Sequence, residues 1–185
     1  ERLLRDYPSW VSQVVMVQRV LLPGSRSEDE ASTMSEIRAI VARIESKFGK
    51  DVVDYKEIPN CTSWPMDQRL ALWRASQVLM ATPIRQGLNH WPMEYVFAHT
   101  GIEPGIVIAS EFSAVASILN GALRVNPYDI QMTVTTIDKA LTMDLQEREV
   151  RMRKDLGCCC YCCCVCACVR SWLLFLLLLL LLLLL

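Results

Sequence analysis

A short apolar run, Val78-Leu79-Met80-Ala81, leads into a loop that carries Gly87 and then into a helical pattern with Pro92 near its start. The run is too short for a helix and reads as a buried strand. A strand that turns through a glycine loop into a helix belongs to an open α/β sheet, where ligands sit outside the carboxyl ends of the strands. The residues of the turn suit that position. Gly87 lacks a Cβ, so its backbone can approach a bulky group closely or take a positive φ. Asn89 is a favoured helix N-cap and tolerates left-handed backbone. Arg85 offers a planar fork of donors to phosphate or carboxylate, and the first N–H groups of the helix can face an anion. Taken alone, the same residues describe an ordinary capped turn in which Glu94 favours the helix dipole.

The rest of residues 1–156 repeats the alternation. Strand patterns fall at 13–22, 52–58, 78–81, 106–109 and 122–125. Helical patterns fall at 1–7, 27–48, 65–75, 91–99, 114–119, 130–142 and 145–155. In the 27–48 segment Met34, Ile37, Ile40, Val41, Ile44 and Phe48 form one stripe, and Gly49 follows as a C′ glycine. Leu70, Leu72 and Trp73 are the core candidates of the 65–75 helix. Short apolar strands between helices predict an α/β fold, a parallel sheet with helices on both faces. With 19 Lys and Arg against 20 Asp and Glu, the chain has no basic stripe for nucleic acid and no acidic tail. It contains neither GxGxxG nor GxxxxGK[ST].

The loop Thr82-Pro83-Ile84-Arg85-Gln86-Gly87-Leu88-Asn89, followed by a helix with Glu94, resembles the donor-binding loop of the trehalose-6-phosphate synthases, glycosyltransferase family 20. The likeness runs in unbroken order over residues 1–156. Val15-Met16-Val17-Gln18 with Pro23-Gly24-Ser25-Arg26, then Ile44-Glu45-Ser46-Lys47-Phe48-Gly49, are similar to family segments. So are Ser110-Glu111-Phe112-Ser113-Ala114, Ala122-Leu123-Arg124-Val125-Asn126-Pro127-Tyr128-Asp129 and Ala140-Leu141-Thr142-Met143. The resemblance implies the Rossmann-like C-terminal half of a GT-B glycosyltransferase, with residues 1–156 as its sugar-nucleotide-binding domain. It implies transfer of glucose from UDP-glucose to glucose 6-phosphate with retention, without metal or cofactor, and a cytoplasmic location.

By position, the resemblance sets Gly87, Leu88, Asn89, His90 and Trp91 against the diphosphate and donor glucose. It sets Glu94 on the ribose hydroxyls, a task for a two-oxygen acceptor. Trp64 falls near the uracil pocket, or is a loop aromatic capping the core. Arg26 falls on an arginine that holds the acceptor's phosphate, or is a solvated charge at a helix start. The family's aspartate, which accepts from donor-glucose hydroxyls, is Gln86 here. A neutral amide oxygen still accepts but has lost its charge, and tenfold weaker transition-state binding is in range. His90 and Trp91 stand where the family has smaller apolar residues.

The chain begins at Glu1, without Met and inside a helical pattern, and reads as a fragment. The family's N-terminal half and its diphosphate-contacting Arg/Lys segment are not in it, so the chain by itself is expected not to catalyse. Of 9 Cys, eight lie in Cys158–Cys168, and Trp172–Leu185 is almost pure leucine. Contiguous cysteines do not match C-x₂-C zinc spacing. Fourteen residues make a helix of about 21 Å, short of a ~30 Å hydrocarbon core. Residues 157–185 therefore read as low-complexity, non-native sequence, or else as a palmitoylated membrane-attached segment. Cys61 reads as a small core filler. Three roles follow: the donor half of a synthase, a non-catalytic sugar-nucleotide or sugar-phosphate binding relative, and, from the tail alone, a membrane-anchored interaction protein.

Overall fold

A computed structural model describes residues 1–22, 27–59 and 64–161. The Pro23–Arg26 segment, Cys61 and the tail beyond Tyr161 lie outside the described residues. The chain divides into two compact units between Ala71 and Leu72.

The first unit contains α1 (Arg2–Asp6), a single 3₁₀ turn, β1 (Met16–Leu22), α2 (Ser27–Phe48) and β2 (Val53–Pro59). β1 and β2 pair in parallel from Met16↔Val53 to Leu22↔Pro59. A parallel pair needs a crossover, and α2 supplies it. Met34, Ile44, Val52 and Val53 are buried, with Ile37, Val41 and Phe48 half-buried. Ile40 departs from the expected stripe and is 44% exposed. The inward positions 34, 37, 41, 44 and 48 alternate steps of three and four, and Ile40 lies on the flank of that seam. Gly49 ends α2 with φ 110°, and its N–H donates to Glu45 O at 2.9 Å, as the C′ reading requires.

The unit boundary falls within α3 (Met66–Ala75). The second unit continues with β3 (Val78–Ala81), α4 (Trp91–Ala98), β4 (Ile106–Ser110), α5 (Ala114–Ile118), β5 (Leu123–Val125), α6 (Ile130–Thr142) and α7 (Leu145–Tyr161). Its sheet is parallel in the order β3-β4-β5. All five residues of β4 are buried. Successive strand residues face opposite sides, so both faces of the sheet are covered. Ile106 and Ile108 join Leu123, Val125, Ala140 and Met143 in one cluster, which is the α6 side. Parallel pairing with helices on both faces is thus the predicted class. The strands form two separate ladders rather than one.

Charged side chains buried along α7 were not legible in the sequence. Arg148 donates from Nε to Met143 O (3.0 Å) and from Nη2 to Ala140 O and Leu141 O (both 3.2 Å), closing the carboxyl end of α6. One turn on, Arg151 and Asp155 grip the turn before β5. Arg151 Nη1 donates to Gly121 O at 3.1 Å, and Asp155 Oδ1 accepts from Gly121 N–H at 2.5 Å. Burial pushes the Asp155 carboxyl up to about 6, against the N–H groups of Gly121 and Ala122 and the charge of Arg151. A folded value above the unfolded one means that protonation favours the fold. That stabilisation is complete below about pH 4 and is lost as pH rises through about 6. Asp155→Asn is therefore expected to flatten the rise in stability on going from pH 7 to pH 4 by about 2 kcal/mol. Urea denaturation of both proteins at the two pH values measures this, and an unchanged slope would count against it. The backbone of α7 runs six residues past the predicted end at Asp155, into the cysteine run.

Candidate functional site

The parallel register brings the carboxyl ends of three strands to one edge. Ala81 pairs with Ala109, and Ser110 pairs with Val125. The loops 82–90, 111–113 and 126–129 therefore leave the sheet side by side. Gln86 and Ser113 form an isolated parallel bridge, and Ala114 N–H donates to Gln86 O at 3.4 Å. The first loop is thereby pinned to the second. Glu111 N–H donates to Val125 O at 3.0 Å, which ties the second to the end of β5.

The loop closes on α4 by a small network. Asn89 Oδ1 accepts from Trp91 N–H at 3.1 Å, and Asn89 Nδ2 donates to Gln86 Oε1 at 3.5 Å. Asn89 was expected to be the N-cap. The cap is His90, in helical backbone and without a side-chain cap bond; Asn89 reaches the first helical N–H from one position earlier. Pro92 has no N–H, and Glu94 N–H donates to His90 O at 2.9 Å. Fewer helix N–H groups are thus left for an anion than a bare helix end provides. The loop itself makes up the difference. The N–H groups of Gly87 and Leu88 meet no acceptor among the described residues.

Gly87 has no positive φ, and a Cβ built on it would touch nothing within 4 Å. Of the two reasons offered for this glycine, backbone conformation is ruled out. Close approach of a ligand remains, because nothing in the chain's own packing needs the missing Cβ. Arg85, Gln86, Gly87, Leu88 and His90 are exposed, whereas Asn89, Trp91 and Glu94 are half-buried. Arg85 makes no hydrogen bond or ion pair among the described residues. The exposed side chains lie on the segment between β3 and α4, and α4 is anchored in the core. Met93 and Tyr95 are buried, the Tyr95 hydroxyl donates to Ser76 O at 3.0 Å, and the Tyr95 and His99 rings lie 4.4 Å apart. Burial pushes the Tyr95 hydroxyl's pKa up, so it remains a donor at neutral pH.

The predicted site residues Gln86, Gly87, Leu88, Asn89, His90, Trp91 and Glu94 come together in the second unit. Trp64 belongs to the first unit; it is half-buried, and its carbonyl accepts from Arg69 Nη1 at 3.5 Å. Arg26 lies outside the described residues. Gln86 Oε1 accepts from Asn89 Nδ2 at 3.5 Å and keeps a second lone pair for a ligand. Two aromatic residues at the same sheet edge had been given no role. Phe112 (44% exposed) and Tyr128 (68%) meet edge to face with ring centres 6.1 Å apart. Large exposed apolar side chains after the ends of adjacent parallel strands are the signal that would have found them. Among the described residues no cluster of His, Cys, Asp or Glu could hold a metal ion. No described helix is long and apolar enough to cross a membrane.

The family model described as glycosyltransferase family 20 matches residues 1–158. The chain is 32% identical over 155 residues to a UDP-forming α,α-trehalose-phosphate synthase of Candida albicans, covering 83% of this chain and 32% of that protein. It is 34% identical over 154 residues to a glucosylglycerol-phosphate synthase of Picosynechococcus, with 83% and 30% covered. Its fold matches the crystal structure of a UDP-forming α,α-trehalose-phosphate synthase from Burkholderia xenovorans in complex with glucose-6-phosphate. That match has a TM-score of 0.77 at 28% identity, over 85% of this chain and 34% of that one. The chain spans about a third of the length of these relatives. With the family model matched over nearly the whole described chain and the parallel fold shared with solved members, the chain belongs to glycosyltransferase family 20.

Proposed function

We propose that the chain is the donor-binding part of an α,α-trehalose-phosphate synthase. The whole enzyme transfers glucose from UDP-glucose to glucose 6-phosphate with retention and releases UDP. Gly87 carries this reading: a glycine without a structural reason to be one, with open N–H donors on it and its neighbour, set before a helix at the carboxyl edge of a parallel sheet. In this proposal residues 1–156 form the sugar-nucleotide-binding domain, and 157–185 take no part. The diphosphate lies against the Gly87–Leu88 backbone, with Arg85 adding charge. Glu94 accepts from the ribose hydroxyls, Trp64 serves the uracil and Arg26 the acceptor's phosphate. His90 and Trp91 close the loop over the donor.

The fixed donors of the loop face the place where negative charge grows as the leaving UDP separates, and they need no reorganisation to meet it. Retention requires the nucleophile to arrive on the face from which UDP departs, so donor and acceptor phosphates must be held on one side of the sugar. The reading requires no metal ion. Because charged sugar phosphates do not cross membranes unaided, it places the protein in the cytoplasm.

A chimera tests it. Residues 1–156 replace the matching segment of the Candida albicans synthase, and trehalose 6-phosphate formation is followed from UDP-glucose and glucose 6-phosphate. Activity within roughly a hundredfold of the parent is expected, allowing about tenfold for the change of charge at Gln86. EDTA should leave the rate unchanged. A folded chimera that binds neither substrate would overturn the proposal.

A further inference from the structure

We propose that Ser113 and Ala114, in the turn from β4 into α5, are positioning residues that aim the Gly87 N–H at the donor's diphosphate. The inference rests on the reading of the 82–94 loop as the donor site, and both residues lie outside that loop. Ser113 stands at the N-cap of α5 with extended backbone (φ −100°, ψ 145°), yet its hydroxyl makes no cap bond. The side chain turns the other way. It is buried, and its hydroxyl donates to Ser110 O at 3.0 Å, the same carbonyl that accepts from Ser113 N–H at 3.1 Å. Ser110 Oγ in turn accepts from Phe112 N–H at 3.2 Å. Residues 110–113 are thus closed into a turn on the end of β4, a strand buried along its whole length. That turn presents its backbone to the donor loop: Gln86 bridges to Ser113, and Ala114 N–H donates to Gln86 O at 3.4 Å.

The consequence follows from peptide geometry. In a planar trans peptide the carbonyl of one residue and the N–H of the next point in opposite directions. With the Gln86 carbonyl directed at Ala114, the Gly87 N–H points away from α5, on an exposed residue where it meets no acceptor among the described residues. Gly87 has no side chain to hold this peptide, and nothing lies within 4 Å of where its Cβ would stand. The orientation of the N–H therefore depends on the bond made to the Gln86 carbonyl from the neighbouring turn. A donor fixed in advance needs no reorganisation when an anion arrives. One that is not held must be ordered on binding, which lowers affinity.

Ala114→Pro removes that bond and little else. Ala114 is exposed and is the first residue of α5, where proline's fixed φ and missing N–H are tolerated. Ser113 already has the extended backbone that a residue before proline adopts. The isotope-labelled 185-residue chain, Ala114→Pro and Ser113→Ala are titrated by NMR with UDP and with uridine, which lacks the diphosphate. In the unsubstituted chain UDP is expected to bind more tightly than uridine and to shift the Gly87 amide signal. Ala114→Pro should cut UDP affinity about three- to tenfold, the loosening of one charge-assisted hydrogen bond, and change uridine affinity by less than about twofold. Ser113→Ala should show the same selective loss, and it provides the reading if the proline prevents folding. A UDP-to-uridine ratio unchanged in the folded variants, or an equal loss of both ligands, overturns the role of the turn and leaves the donor-site reading in place. Failure of UDP to bind the unsubstituted chain overturns the donor-site reading and this inference with it.

Discussion

Gly105→Ala is expected to destabilise the second unit by about 2–4 kcal/mol. A Cβ at Gly105 would overlap the Tyr95 hydroxyl and come within 2.6 and 2.8 Å of the ring carbons Cζ and Cε1. Tyr95 is fully buried, and its hydroxyl donates to Ser76 O, so the ring has no free space to move into. Overpacking a tight core costs about 1–3 kcal/mol, and a displaced hydroxyl adds about 1 kcal/mol for the lost bond. Urea denaturation measures the change. A double-mutant cycle with Tyr95→Phe tests its cause. Removing the oxygen should recover part of the loss, because the ring carbons still collide with the new methyl. Additive effects of the two substitutions would mean that the strain lies elsewhere. The consequence for function is direct, since Tyr95 follows Glu94 on the helix that backs the candidate site.

Gly87→Val is the converse case, with stability kept and binding lost. The Gly87 φ is not positive and its Cβ position is empty, so the substitution should change unfolding free energy by no more than about 0.5 kcal/mol. A branched side chain there would hold a diphosphate off the N–H groups of Gly87 and Leu88. Losing one charge-assisted hydrogen bond corresponds to roughly tenfold to a hundredfold in affinity. Calorimetric titration with UDP-glucose should therefore show at least a tenfold loss in a protein that melts like its parent. Undiminished binding would remove the loop from the donor site. A large fall in melting temperature would show that glycine is needed for the fold instead. The two glycines separate two uses of the same absent side chain, one facing the chain's own core and one facing open space.

Much of this molecule was legible along the sequence because its causes are local. Strand and helix placement follow from the spacing of apolar residues, and apart from the end of α7 the helices begin and end within a few residues of the predicted positions. Gly49 ends α2 because a positive φ suits glycine. The order of strand, glycine loop and helix places residues 86–94 at a sheet edge. Ile40 shows the limit of such periodicity: six apolar residues on one side of a helix do not say which of them lies at the flank.

Buried charge is the other thing the chain concealed. The sequence reading of 145–155 as a closing helix gives no role to Arg148, Arg151 or Asp155. Besides Glu147, one turn from Arg151, their partners are the carbonyls at the end of α6 and the peptide of Gly121, more than 25 residues away for the last. The sequence by itself determined the elements, their parallel class, the family and the location of the loop, since each rests on interactions within a few residues or on ordered motifs. Tertiary structure alone decided which glycine is needed for packing and which charges are buried. Those outcomes depend on atoms brought together from distant parts of the chain, and no pattern along one element encodes them.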